Sequence, residues 1–482
     1  MSTQAMPSLR TRWLAVAVLA AAQVMIILDQ NIVNIALPAI RDDLHISQSN
    51  LVWTVNAYVI PFGGVLLLAG RLGDLISRKR VFLAGLTLFA AASAAAATAD
   101  TQGFLLGARF AQGVGGAIAS AGLLGMVVML MPEPEHRPKA IGAFGLASSG
   151  GAALGTVVGG VLTETLGWEA VFLINVPLGL AVGLLAARLL RDDRGIGLRQ
   201  GADVLGALLV TSGVMLAVYT LVEIESHGWT SPRLLGLGAL AAALIAGFFA
   251  RQAKAANPLV PLRILFSRNV AAANLVQALM VGAMFGFMFF TVLYLQQVLG
   301  LTPLTAALAF LPVPVIIMTA SITVVPRLLT RFGPRPLIVT GLAAILAGFL
   351  LLTQIRAEGA YAADVLGAMI ALAAGFSVTM PALMSLGMAD SRPEDAGVTS
   401  GLFNTAQQVG GAVGLAVLST AVAARTRTLL DQGAAEAEAL TGGYRLSYAL
   451  AAGFVAIALL IAATALKPRA NAPAEPAAAP VA

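Results

Sequence analysis

Long apolar runs, interrupted by short clusters of charge, proline or glycine, fill almost the whole sequence. They fall at about 13–37, 50–70, 80–98, 103–131, 139–161, 168–190, 203–223, 233–250, 270–298, 304–325, 336–355, 361–388, 399–423 and 444–466, fourteen in all. Crossing a bilayer takes roughly 20 apolar residues in a helix, so each run reads as a membrane span. The first follows Arg10 and Arg12 and reaches an acid, Asp29. It is too long for the apolar core of a signal peptide and leads to no small-residue cleavage site. It is therefore expected as a retained first span.

Composition agrees. The 482 residues are 59% hydrophobic and only 11% charged, whereas soluble domains are about a quarter charged. An all-α polytopic membrane protein is predicted; a soluble enzyme, a secreted factor and a disordered scaffold are excluded. There is no cysteine, which removes disulfides, thiolate metal sites and thiol catalysis. Four lysines occur, none after glycine, so no phosphate-binding G-K-[ST] loop exists to support ATP-driven pumping.

Charge placement sets the topology. Of 29 Lys and Arg residues, 22 fall in alternate segments beginning with the N-terminus, six in the other loops, and one, Arg109, inside a run. The positive-inside rule then predicts fourteen spans with both termini cytoplasmic. The net charge of +6 belongs to the inner membrane surface, and no nucleic acid partner is expected.

A weak internal repeat divides the chain. Shifted by 256 positions, the segment from Gly70 to Ser77 overlies that from Pro326 to Gly333, Gly145-Leu146 overlies Gly401-Leu402, and Gly155 overlies Gly411. Chance similarity between Gly- and Ala-rich helices is the competing explanation. The expected organisation is a cytoplasmic N-terminus (1–12), a six-helix bundle (13–190), an inserted helix pair (203–250), a second six-helix bundle (270–466) and a disordered cytoplasmic tail (467–482).

Several stretches carry a family resemblance. GRLGDLISRKR at 70–80 resembles the motif A loop of the major facilitator superfamily, and RFAQGVGG at 109–116 its motif B. ILDQNIVNIALP at 27–38 and GAALGTVVGG at 151–160 are similar to the first-span signature and antiporter motif C of the fourteen-span drug:proton antiporter branch, the EmrB/QacA type. WEAVFLINVPLG at 168–179, NPLVPLRIL at 257–265 and YLQQVLGLTPL at 294–304 also resemble that branch. Two positions depart from the pattern: Ser77 stands where motif A usually has Gly, and Thr156 where motif C usually has Pro. The resemblance implies a major facilitator fold in the cell membrane of a bacterial-type cell. It also implies proton-coupled efflux of a small amphipathic substrate, an antibiotic or toxic metabolite, with no cofactor beyond the proton gradient. A monomer is expected, although nothing in the sequence fixes the oligomeric state. Proton-linked import of a small nutrient or metabolite is the alternative; a membrane-embedded enzyme would need a nucleophile, acid and base at one depth, and none converge.

Two full charges lie well inside spans, Asp29 and Arg109. Such charges are expensive in hydrocarbon and need a partner. Asp29 precedes Leu37 by eight residues, about 12 Å, and Arg109 follows Gly103 by six, about 9 Å, so both sit in the outer half at similar depth. Two readings stand: a static pair fixing helix packing, or a proton-coupling pair in which protonation of Asp29 releases Arg109. The same shift turns Asp29 into Phe285 and Arg109 into Val365, which confines proton handling to the first bundle. All three histidines fall in predicted loops. Asp203, Glu223 and Asp364 sit at span ends, where water is expected to reach them.

Gly151, Gly155 and Gly159, with Gly160 adjacent, form a small-residue stripe suited to close helix approach; plain packing and the antiport role implied by the resemblance both remain open. Gly70, Asp74 and Arg78 are expected to form a conformational latch, Asp74 engaging the start of the thirteenth span near 397–401. For the substrate, Met284, Phe285 and Met288 offer an adaptable apolar wall, although such stripes more often face lipid or core. Asn34, Asn56, Tyr58, Gln277, Asn404 and Gln407 would supply polar groups. No metal site is expected.

Overall fold

The computed structural model describes residues 8–47, 50–133, 135–192, 195, 197, 203–227, 231–255, 258–259, 263, 267–389 and 396–466. The described residues form helices and connecting turns, with no strand among them. Twelve helical stretches are long and apolar enough to cross a membrane. The helices at the second and fifth expected spans contribute shorter described apolar stretches, Val52–Leu66 and Leu154–Leu166. A total of fourteen goes beyond these twelve.

The first helix, α1 (Leu9–Asp43), starts from a Ser8 cap whose hydroxyl accepts the Thr11 N–H. It is followed by α2 (Val52–Leu75), α3 (Arg78–Ala96), α4 (Gln102–Ser120), α5 (Leu123–Leu130), α6 (Arg137–Leu166), α7 (Ala170–Leu173) and α8 (Asn175–Leu189). The fourth and sixth expected spans are thus each broken once, at 121–122 and at Ile174. The 70–80 stretch is not the loop its glycines and charges suggest. Residues up to Leu75 continue α2, and only Ile76 and Ser77 separate it from α3. Thr156, in the place of a proline, leaves α6 unbroken from Arg137 to Leu166.

Next come α9 (Val204–His227) and α10 (Pro232–Lys254). His227 closes α9 rather than lying in a loop. The remaining helices are α11 (Arg268–Leu293), extended by a π-turn at Tyr294–Val298, then α12 (Pro303–Phe310), α13 (Pro312–Thr323), α14 (Val325–Phe332), α15 (Pro334–Leu352), α16 (Gly367–Ala389), α17 (Ala396–Asp431) and α18 (Glu436–Ala465). The tail expected at 467–482 lies outside the described residues.

Packing follows the small residues. α1 lies along α6, and α4 packs on α2 and α3; among the later helices α11 lies along α17 and α18. Gly410 and Gly414 bring α17 against Ala278 and Gly282 of α11, and Gly411 meets the Phe285 ring. α9 rests on both α2 and α17, where Gly64 faces Thr211 and the Thr420 hydroxyl donates to the Leu221 carbonyl at 3.0 Å. A small apolar core of Ala207, Phe248, Leu259, Val270 and Leu402 ties the α9–α10 pair to α11 and α17.

Asp203, just before α9, is not the water-facing group expected from its position. It is 3% exposed, and its carboxylate accepts the Gly206 N–H at 2.9 Å, Arg251 Nε at 3.0 Å and Gln252 Nε2 at 2.7 Å. Asp364 is likewise drawn in: its side chain is 6% exposed and pairs with Arg356 at 3.1 Å while accepting the Ala360 N–H at 2.7 Å. In both cases hydrogen bonds made on folding replace water.

Candidate functional site

Five helices, α1, α2, α3, α4 and α8, bring charged and polar groups to one buried point. The Thr101 hydroxyl caps α4 by accepting the Phe104 N–H at 3.4 Å. Arg109 then lies two turns in, with Gln112 three residues on and so on the same face. Gly113 lets α4 approach the Tyr58 carbonyl of α2. α1 contributes Asp29, α3 contributes Ser93, and α8 begins with Asn175 directly after the break at Ile174.

The expected pairing of the two intramembrane charges is present. Arg109 Nη1 donates to Asp29 Oδ2 at 2.9 Å, with the acid fully buried and the arginine 1% exposed. The other carboxylate oxygen accepts Gln112 Nε2 and Asn175 Nδ2, each at 2.8 Å. Both amides also donate to the Ser93 hydroxyl oxygen, at 3.0 and 3.1 Å, and the Ser93 hydroxyl in turn donates a hydrogen bond to the Phe172 carbonyl at 2.9 Å. Two side-chain amides therefore bridge the same two oxygens.

Arg109 is held from its far side too. It donates to Gln112 Oε1 at 2.7 Å and, through Nε, to the Thr54 carbonyl at 3.2 Å. Its guanidinium stands 4.4 Å from the Tyr58 ring centroid and 5.7 Å from that of Phe172, a cation–π arrangement that strengthens when desolvated. A buried ion pair is tolerable only when its remaining donors and acceptors are also met. Gln112, Asn175, Ser93 and the Thr54 carbonyl meet that need here. Sequence reasoning named Asp29 and Arg109 but missed these four; the i, i+3 spacing of Arg109 and Gln112 was the one usable signal.

The glycine stripe abuts this cluster. β-Carbons on Gly151, Gly155 and Gly159 would fall 3.1 Å from Val24 Cα, 2.8 Å from the Leu28 carbonyl oxygen and 2.8 Å from Ile32 Cγ1. A four-residue rhythm on α6 thus meets the same rhythm on α1, on either side of Asp29. Gly160 looks elsewhere, toward Pro303, Leu304 and Ala307 of α12. Nearby, Leu304 N–H donates to Glu164 Oε2 at 3.0 Å, and Gln296 Nε2 to the Ile35 carbonyl at 3.0 Å. These contacts join the early and late helices at the end remote from the termini.

The expected substrate residues scatter. Tyr58 lies under Arg109 and belongs to the charge cluster. Asn34 donates to Gln30 of its own helix at 3.0 Å. Asn56 is fully buried and reaches the Ala412 carbonyl at 3.4 Å; Gln277, 1% exposed, reaches that of Phe403 at 3.3 Å. Met284 is buried and Phe285 and Met288 are half-buried on α11, while on α17 Asn404 is exposed and Gln407 half-buried.

At the α2–α3 turn, Ser77 caps α3 by accepting the Arg80 N–H at 3.3 Å. The chain beyond α8 returns to this turn, Gly195 and Gly197 donating their N–H groups to Ile76 and Leu75 at 3.0 Å each. A β-carbon on Gly70 would meet nothing within 4 Å, and Arg78 lies against the Met129 sulfur. The Asp74 side chain lies outside the described residues.

Comparison with known proteins places these features. The Major Facilitator Superfamily model matches residues 19–415. The chain is 36% identical to the puromycin resistance protein pur8 of Streptomyces alboniger, over 94% of this chain and 90% of that one. It is 34% identical to the cephamycin export protein CmcT of Amycolatopsis lactamdurans, over 84% of each, and 32% identical to the multidrug efflux pump LfrA of Mycolicibacterium smegmatis, over 87% and 82%. In fold it matches a bacterial homolog of the human lysosomal transporter Spinster in an inward-facing, unoccupied conformation, with a TM-score of 0.69 at 16% identity over 97% of this chain and 100% of that one. The chain is a multi-pass membrane transporter, and it belongs to the Major Facilitator Superfamily.

Proposed function

We propose that this transporter exports small amphipathic molecules in exchange for protons. Its fourteen spans would be arranged as two six-helix bundles (13–190 and 270–466) around the inserted pair (203–250), with both termini cytoplasmic. The observation that carries the reading is the Asp29–Arg109 pair, an intramembrane carboxylate with one strong cationic partner and two amides able to reorganise. Protonating Asp29 removes the attraction to Arg109. The cation retains Gln112 Oε1, the Thr54 carbonyl and the Tyr58 face, so it need not follow the acid. α1 then becomes free to shift along the glycines of α6, and through Gly160 and Glu164 that shift reaches α12. Alternating access follows if the two arrangements expose the passage at opposite faces.

The relatives bear names of antibiotic resistance and export, which favours efflux over import and amphipathic antibiotics as substrates. Asn56 and Gln277 each keep a buried carbonyl oxygen without a hydrogen-bond partner among the described residues. A donor on a polar edge of such a solute would satisfy them. Asp74 with Arg78, beside the open space at Gly70, would latch the outward-facing state by engaging the first turn of α17, which begins at Ala396, where a helix dipole favours an anion.

The deciding experiment uses purified protein in proteoliposomes with an imposed pH gradient. Asp29→Asn loses gradient-driven export while still binding substrate. Unchanged gradient-driven export by that variant overturns the reading.

A further inference from the structure

Asp29 is met by donors alone. Arg109 Nη1 of α4 reaches Oδ2 at 2.9 Å, and the amides of Gln112 and Asn175 reach Oδ1 at 2.8 Å each. That shell suits a carboxylate, which only accepts. It does not suit the protonated acid, whose O–H needs an acceptor and would face an N–H at either oxygen. The titratable side chains described around Asp29 are Arg109 and, from α2, Tyr58. α3, α6 and α8 bring Ser93, Gly155 beside Leu28, and Asn175. Unless the shell changes, the proton enters a buried site with its hydrogen bond unmade, which is costly.

The two amides differ in freedom. Gln112 is held at both ends, Nε2 on Asp29 and Ser93 and Oε1 on Arg109 Nη1 at 2.7 Å. Turning it over would set its NH2 against the guanidinium. Asn175, fully buried, is held at one end: Nδ2 donates to Asp29 and Ser93, while Oδ1 has no hydrogen-bond partner among the described residues. Turning it over gives up nothing at the oxygen and brings an acceptor to Asp29 Oδ1. The Ser93 hydroxyl, a rotor that donates as well as accepts, can meet either end of the amide. Thr54 also keeps a buried hydroxyl without a partner among the described residues. Its carbonyl, however, holds Arg109 Nε, which sets it on the arginine's side of the pair.

We propose that Asn175 is a proton-dependent switch in the coupling site, donating to ionised Asp29 and turning over to accept from the protonated acid. A proton from the aqueous phase adds to Asp29 Oδ1, forming one O–H bond, and the Asn175 amide rotates about its Cβ–Cγ bond; no other covalent bond changes. The principal tie of the acid then passes from Arg109 on α4 to Asn175 at the start of α8, while Gln112 stays with Arg109. This role rests on Asp29 as the proton carrier.

The test is solid-state NMR of the full chain in proteoliposomes as the pH is lowered, with isotopic labels in the aspartate carboxyl carbons and the asparagine side-chain nitrogens. The chemical shift of Asp29 Cγ reports protonation, and its dipolar coupling to Asn175 Nδ2 reports which end of the amide faces it. Asp29→Asn removes the first signal and Asn175→Ser the second, which assigns both. The coupling is expected to be lost as the carboxyl protonates. Asn175→Leu, with neither donor nor acceptor, lowers gradient-driven export by about tenfold, and Asn175→Ser, whose hydroxyl does both, recovers part of it. A coupling that persists after protonation makes Asn175 a fixed donor and overturns the switch alone, as does export by Asn175→Leu equal to that of the parent. A carboxyl that never protonates across the range overturns the proton-carrier reading and the switch with it.

Discussion

Gly155 approaches α1 so closely that a β-carbon on it would stand 2.8 Å from the Leu28 carbonyl oxygen, one residue before Asp29. The neighbour is backbone, which cannot rotate aside as a side chain could. Gly155→Ala must therefore part α6 from α1 at the depth of the charge cluster, and overpacking of this kind costs about 1–3 kcal/mol. Gly155→Ala is expected to lower the melting temperature in detergent and to abolish most resistance in an efflux-deficient host. Gly150→Ala, where a β-carbon meets nothing within 4 Å, should do neither. Equal behaviour of the two variants would mean the close approach has no bearing on transport.

The two amides that bridge Asp29 and Ser93 make a second prediction. Gln112 serves both partners of the ion pair, donating to the acid and accepting from Arg109, whereas Asn175 touches the acid alone. Truncating a partner of a buried charged group costs about 1–3 kcal/mol. Gln112→Ala leaves a gap on both charges and Asn175→Ala on one, so the first should lose more thermal stability. The double variant should fall short of the sum, because both amides donate to the same two oxygens. A thermal-shift cycle on the four proteins gives the coupling directly, and strict additivity would argue against a shared network.

What the sequence made legible here was charge. Asp29 and Arg109 are the two full charges deep within spans, and counting helical rise from each span end set them at one depth; they proved to touch. The glycine rhythm on α6 was equally visible, though its partner rhythm at Val24, Leu28 and Ile32 was not, since nothing distinguishes those residues from any other apolar run. Ser93, Gln112 and Asn175 were passed over for a related reason: neutral polar residues are scattered through many spans and cost too little to demand explanation. Tyr58 was set beside the substrate because a hydroxyl suggests a ligand, whereas its ring face is what Arg109 uses. Asp203 reads as solvated because it ends a span, yet two of its partners, Arg251 and Gln252, lie 48 and 49 residues on, near the end of α10. Position in a span gives depth, but exposure is decided by what folds over it.

That clamp between the start of α9 and the end of α10 has a pH signature. Burial, the largest single influence on Asp203, pushes its titration upward; the Gly206 N–H, Arg251 and Gln252 together outweigh it, so the carboxyl titrates below the usual carboxylate range. A group depressed on folding contributes stability above its unfolded pKa and loses it as pH falls through the folded one. Asp203→Asn is therefore expected to melt at a lower temperature than the parent near neutral pH. The gap should close as the buffer is taken down through and below the ordinary carboxylate range. A gap that persisted unchanged in acid would show that charge on Asp203 is not what clamps α9 to α10.

The seal at the end remote from the termini supplies the last prediction. Glu164 Oε2 accepts the Leu304 N–H at the start of α12, beside the close contact of Gly160 with the same helix. A carboxylate at a helix start is worth about 0.3–1 kcal/mol when exposed. Spread over a two-state equilibrium, that is a shift of about two- to five-fold in population. The chain has no cysteine of its own, so Asn34→Cys, on α1 below the seal, reports access without further engineering. Adding Glu164→Ala should raise its alkylation rate from the sealed face by about that factor, and Glu164→Gln, which keeps a carbonyl acceptor but no charge, should fall between. The same rate in all three backgrounds would leave Gly160 and the Gln296–Ile35 contact as the elements that keep this face closed.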